Sequence, residues 1–90
     1  LGLSLEEVSE RELRALRISQ GLKISFVADG SPASVAGLAS DDVIVQIGYS
    51  SLKDLDEYQE ILDDLPEGSP IAIRFYRDGQ AYFTTVEIEN

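Results

Sequence analysis

Side chains able to do covalent chemistry are scarce in this sequence. It contains no histidine and no cysteine, which removes Ser-His-Asp and Cys-His catalysis, thiolate chemistry and the usual zinc sites. Ser31 precedes Pro32 and reads as a helix cap, because a nucleophilic serine needs a base. Acidic residues at Asp41-Asp42 and at Asp54, Asp56 and Glu57 invite a calcium reading. They lack the spacing and the loop glycine of a calcium loop, and read instead as a solvated, helix-capping face. No metal or cofactor is implied. What is left is recognition chemistry. Leu1, Leu3 and Leu5 alternate with Gly2 and Ser4, so an extended chain sets the three leucines on one face. Leu55, Gln59 and Leu62 are four and three residues apart, the spacing of one stripe on a helix.

The elements that must carry these residues are marked by local punctuation. Ser9-Glu10-Arg11-Glu12 is a capping box, with Val8 and Leu13 placed as a hydrophobic staple. A short helix follows through about Arg17, with Leu13 and Leu16 inward and the arginines outward, and Gly21 closes the unit. Leu22 to Val27 reads as a strand with Leu22 and Ile24 on one face. Ser31 as N-cap, Pro32 at the first helical position and Gly37 as the left-handed stop define a helix of one or two turns. Val43 to Ile47 is a buried strand. Asp54 opens the longest helix, whose acidic first turn complements the dipole. Leu55, Tyr58, Ile61, Leu62 and Leu65 recur at helical spacing, and Pro66 with Gly68 ends it. Asp78-Gly79 between Ile71–Arg77 and Gln80–Ile88 is a hairpin signal.

Ninety residues make one domain that hides roughly 64% of the surface of its unfolded chain. Seventeen Asp and Glu against seven Lys and Arg give a net charge of −10, which repels a phosphate backbone and an anionic membrane alike. Apolar runs are only a few residues long, too short to span a bilayer, and nothing reads as a signal peptide. The absence of cysteine fits the cytosol and an oxidising compartment equally. The arithmetic points to a binding module, not an enzyme.

Three segments resemble a PDZ domain of the bacterial HtrA/Deg serine protease type. Gly30-Ser31-Pro32-Ala33-Ser34-Val35-Ala36-Gly37-Leu38 is similar to that family's GSPAxxAGL signature and is the specific one of the three. Asp42-Val43-Ile44-Val45-Gln46-Ile47 resembles its DVIxxI/V strand. Leu1-Gly2-Leu3-Ser4-Leu5 resembles its carboxylate-binding loop and following strand. The likeness covers the whole chain. It implies an α+β fold, a small, partly open antiparallel β-barrel or sandwich capped by helices. The strand order is the circularly permuted bacterial one, in which Ala81 to Ile88 fills the place of a missing first strand. Two positions depart from the family: Asp41-Asp42 stands for its usual Gly-Asp, and Gly48-Tyr49 for its usual Asn-Gly, which implies a different turn.

The resemblance implies capture of hydrophobic C-termini or unfolded segments by strand addition beside Leu3 to Glu7. Amides around Leu1, Gly2 and Leu3 are expected to hold the terminal carboxylate, with residues upstream of Leu1 completing the loop. Leu1, Leu3, Leu5 and Leu62 would line the pocket for the last side chain, with Ser4 on the pairing strand and Leu55 and Gln59 along the groove. Leu55 predicts preference for an apolar residue third from the end. Asp56, Glu57, Glu60 and Asp63 are expected at the rim, disfavouring acidic residues further upstream. Affinity is expected on the order of micromolar or weaker, because a floppy peptide must be ordered. The implied parent is a periplasmic or envelope protease with a trypsin-like domain elsewhere, and the isolated domain is expected to be monomeric. Two alternatives stand beside this reading. One is a different protease parent, an intramembrane metalloprotease or a tail-cleaving protease. The other is a structural interdomain contact with no free-peptide ligand.

Overall fold

The computed structural model describes residues 2–64 and 68–87. Along the chain run β1 (Leu3–Glu7), α1 (Glu10–Leu16), β2 (Leu22–Val27), α2 (Pro32–Val35), β3 (Val43–Ile47), β4 (Ser50–Ser51), α3 (Leu55–Asp64), β5 (Pro70–Arg77) and β6 (Gln80–Glu87). The strands form one antiparallel sheet in the order β1-β2-β3-β5-β6. On the side of β3 away from β5, β2 pairs with its first residues and β4 with its last. The sheet does not close: among the described residues, β1 and β6 are left as its two edges. Leu22, Ile24, Ile44, Ile47, Ile73 and Val86 fill the core, together with Leu52 from the β4–α3 connection.

Capping chemistry explains where the helices begin. Ser9 Oγ accepts from Glu12 N at 3.2 Å, Ser31 Oγ from Ser34 N at 3.2 Å, and Asp54 Oδ1 from Glu57 N at 2.8 Å. The reciprocal half of the first capping box is replaced: the Glu12 carboxylate accepts from Lys23 Nζ on β2 at 2.7 Å. That contact ties α1 to the sheet, and it raises the Lys23 ammonium above its ordinary pKa. α2 ends as expected at Gly37, with φ of 90°. Gly37 N donates to Ser34 O and Leu38 N to Ala33 O, the paired bonds of a Schellman stop.

α1 stops in the same way and, as the sequence predicts, at about Arg17. Arg17, not Gly21, takes the left-handed position at φ 60° and ψ 39°, with Arg17 N donating to Arg14 O and Ile18 N to Leu13 O. Gly21 serves another purpose, since a Cβ there would lie 3.0 Å from Val43 Cγ1 and 3.2 Å from Ile44 O. An arginine in the left-handed region carries a steric cost that glycine avoids. Arg17→Gly should therefore stabilise the chain by about 0.5 kcal/mol or more, net of glycine's greater freedom in the unfolded state. Thermal unfolding followed by circular dichroism would show a midpoint raised by a few degrees. A lowered midpoint would reverse that reading of the cap.

The turns report the two departures from the family pattern. Asp41 has φ 76°, a carboxylate residue standing where the chain needs a left-handed backbone. At Gly48-Tyr49 only the glycine is left-handed, with φ 61°, and Ile47 pairs with Ser50 across the turn. That is the pattern of a type II′ hairpin. Asp78 and Gly79 are both left-handed, at 54° and 79°, as in a type I′ turn.

Asp42 does not belong to a solvated acidic face. It is 2% exposed. Its carboxylate accepts from Ala39 N at 2.9 Å, Arg77 Nε at 2.8 Å and Arg77 Nη2 at 2.5 Å. Arg77 also donates to Gly37 O at 2.8 Å and lies over the Phe75 ring. One ion pair thus joins the turn before β3 to the end of β5. The carboxylate holds the Arg77 guanidinium above its ordinary pKa.

Candidate functional site

β1 is short, and among the described residues one side of it is unpaired. Gly2 O accepts from Ala28 N at 2.8 Å, and Ser4 O accepts from Ser25 Oγ at 3.2 Å, so both carbonyls turn toward β2. Backbone groups alternate sides along an extended chain. The N–H and C=O of Leu3 and Leu5 therefore face outward, along the unpaired edge. Their side chains are half-buried and pack against the core, while Ser4 is exposed. Leu1 lies outside the described residues.

A β-bulge shapes this edge. Ser4 opposes Phe26 but Leu5 opposes Ile24, so Ser25 is the extra residue on β2. The bulge changes the phase of β2: Leu22 and Ile24 point into the core, and then Val27 does so in place of Phe26. Phe26 is left 58% exposed. Strict alternation read from the sequence has no signal for this shift.

Gly2 is fixed by what it touches. Its φ is 80°, and a Cβ at this position would overlap Ser31 Cβ and come within 2.8 Å of Ser31 Oγ. The residue that caps α2 therefore also forms the wall behind the loop that leads into β1. Spacing along the chain could not reveal that contact, since 29 positions separate the two residues.

α3 packs beside β1, and its faces are distinct. Tyr58 and Ile61 turn to the core, and burial pushes the Tyr58 phenol above its ordinary pKa. Leu55 is 41% exposed, Gln59 is exposed and Leu62 half-buried, so this stripe is the more open one. Leu65 lies outside the described residues, as does Pro66. A free strand edge, a neighbouring helix stripe with two leucines, and a glycine turn at one end are thereby brought together.

The acidic residues of α3 divide differently from expectation. Glu57 and Glu60 line a cavity of about 710 Å³ on the other flank of the helix, walled by the β3–β4 turn and the start of β5. The helical advance of about 100° per residue explains this. It sets residues 57, 60 and 64 roughly opposite residues 55, 59 and 62. Asp56 and Asp63 are exposed and fall midway between the two flanks, on the face turned away from the core.

Known proteins share this architecture and sequence. The sequence pattern of the PDZ domain family matches residues 1–88. A probable periplasmic serine endoprotease DegP-like from Pseudomonas putida (strain W619) is 31% identical over 88 residues, 98% of this chain and 18% of that protein. The chain therefore spans about a fifth of the length of that relative. Among solved structures, a variant of the HtrA-type protease AlgW with a decapeptide superposes with a TM-score of 0.90. It is 24% identical, over 99% of this chain and 28% of that one. The HtrA3 PDZ domain bound to a phage-derived ligand (FGRWV) gives a TM-score of 0.79 at 22% identity, over 97% of this chain and 81% of that one.

Proposed function

The chain belongs to the PDZ domain family, and from that premise we propose that it is the peptide-binding regulatory module of an HtrA/Deg-type envelope serine protease. The observation that carries this reading is the outward-facing backbone of Leu3 and Leu5 beside the open stripe of α3. A peptide entering as an extra antiparallel strand satisfies those edge groups. Leu1, Leu3, Leu5 and Leu62 receive its last side chain. Amides at Leu1, Gly2 and Leu3 receive its carboxylate, and Leu55 and Gln59 contact residues further upstream. No helix among the described residues is long and apolar enough to cross a membrane. The naming of relatives as periplasmic endoproteases supports the same compartment and a protease domain elsewhere in the parent. Peptide occupancy then tethers a substrate to that domain or biases its active state.

Binding is expected with dissociation constants on the order of micromolar or weaker. The test is an NMR titration of the labelled chain with peptides ending in Phe, Val, Leu or Ala, each beside its C-terminal amide. Amide shifts at Leu3–Glu7 and Leu55–Leu62 that disappear on amidation support carboxylate-dependent strand addition. Flat spectra from a folded sample would leave a structural contact as the better account.

A further inference from the structure

The flank of α3 turned away from β1 has the makings of a second site. Its cavity of about 710 Å³ falls within the roughly 300–1,000 Å³ of ordinary ligand pockets. Ile47, Ile61 and Ile71 line it and are themselves buried, so its floor is apolar. Glu57, Glu60 and Asp64, at i, i+3 and i+7, run along one wall. At the mouth stands Tyr49, whose ring is fully exposed. Among the described residues lining this cavity there is no lysine or arginine. Arg74 belongs to an adjoining hollow that shares Gly48 and Ala72.

We propose that this cavity binds an internal segment of an unfolded client polypeptide in which Lys or Arg adjoins an aliphatic residue. The argument is charge and shape complementarity. An aliphatic side chain enters over the isoleucines, removing apolar surface from water. The neighbouring cation meets the three carboxylates and has the Tyr49 ring within reach, a face that attracts cations. A C-terminus is excluded, because its carboxylate would sit against Glu57, Glu60 and Asp64 at close range. The two flanks of α3 thus have opposite selectivity: the β1 flank is built for a C-terminal carboxylate and this one rejects it.

The probe is a hexapeptide, Lys-Leu-Lys-Ile-Lys-Leu, acetylated and amidated at its ends so that no terminal carboxylate is present. Controls replace every Lys with Glu, or every Leu and Ile with Ser. Titration into the labelled chain should move the amides of Gly48, Tyr49, Ser50, Glu57 and Ala72, and leave Leu3–Glu7 in place. Both controls should be silent. The double variant Glu57→Gln/Glu60→Gln, on partly exposed helix positions, should weaken the probe about tenfold, as two surface charge contacts warrant. Tyr49→Ser should weaken it separately. Shifts at Leu3–Glu7, equal response to the serine control, or no shift at millimolar probe would each overturn the proposal. Silence, or an equal response to the serine control, would leave the carboxylate-dependent groove untouched, whereas shifts at Leu3–Glu7 from an amidated probe would count against the carboxylate dependence of that groove as well.

Discussion

Arg77→Met should lower the unfolding free energy by about 3 kcal/mol, the cost of stranding a buried carboxylate without its counter-ion. Asp42 has 3% of its side chain exposed and Arg77 40%, so the carboxylate depends on the guanidinium while the guanidinium still reaches water. Removing Arg77 leaves that carboxylate with Ala39 N as its remaining hydrogen-bond donor. The guanidinium also lies over the Phe75 ring, so its removal adds the loss of a cation–π contact of about 0.5–1 kcal/mol to the larger cost of the unpaired charge. Against a domain stability of about 5–15 kcal/mol, a loss of that size is large. Urea unfolding would show the midpoint falling by about 1 M or more with an unchanged slope. The second arm is the pair Asp42→Ala/Arg77→Met, which leaves no charge behind and should recover a large part of the loss. If the double variant were as unstable as the sum of the singles, the pair would carry no coupling. The geometric argument for it would then fail.

That ion pair also marks the limit of what the sequence makes legible. Features decided within four or five residues are readable: the caps at Ser9, Ser31 and Asp54, the stop at Gly37, and the Asp78-Gly79 turn. Each depends on a backbone geometry that few residue types can supply. Asp42 and Arg77 are 35 positions apart, and nothing local distinguishes a buried carboxylate from the solvated ones around it. Leu52 is lost for a related reason. It is wholly buried, yet it stands alone between Ser51 and Lys53 with no periodicity to announce it. Arg17 shows the converse, a left-handed position filled by a residue whose type gives no hint of it. The candidate site divides along the same line. Alternation made the β1 leucines visible, and helical spacing made the α3 stripe visible. Their adjacency rested on family resemblance, because it is a property of the sheet and not of either segment. Spacing alone does not say which flank of α3 faces β5, so Glu57 and Glu60, which line the cavity there, look the same in the sequence as Asp56 and Asp63.

Gly2→Ala should weaken peptide binding by at least about tenfold while costing comparatively little stability. The added methyl overlaps Ser31 Cβ, and the position has φ 80°, so both space and backbone geometry oppose it. Ser31 is the less able to move, because its Oγ accepts from Ser34 N and its own N donates to Ala28 O. The strain is therefore relieved on the other side, by displacement of the loop at the start of the chain. That movement breaks the bond from Ala28 N to Gly2 O, a stability loss of about 1–2 kcal/mol. For a bound peptide the consequence is larger. The amides proposed to hold the carboxylate and the first outward-facing groups of β1 leave their positions together. The proposed affinity, on the order of micromolar or weaker, should fall by at least about tenfold, more than one displaced charge-assisted contact. Titration calorimetry beside thermal unfolding would separate the two losses. A second-site change tests the cause directly. Ser31→Gly removes the clashing Cβ, and glycine at an N-cap costs only a few tenths of a kcal/mol. The double variant Gly2→Ala/Ser31→Gly should thus regain part of the binding, held below the parent by the left-handed backbone at position 2. If Gly2→Ala bound normally, or if the double variant bound no better than it, Ser31 could not be the wall that sets the carboxylate loop.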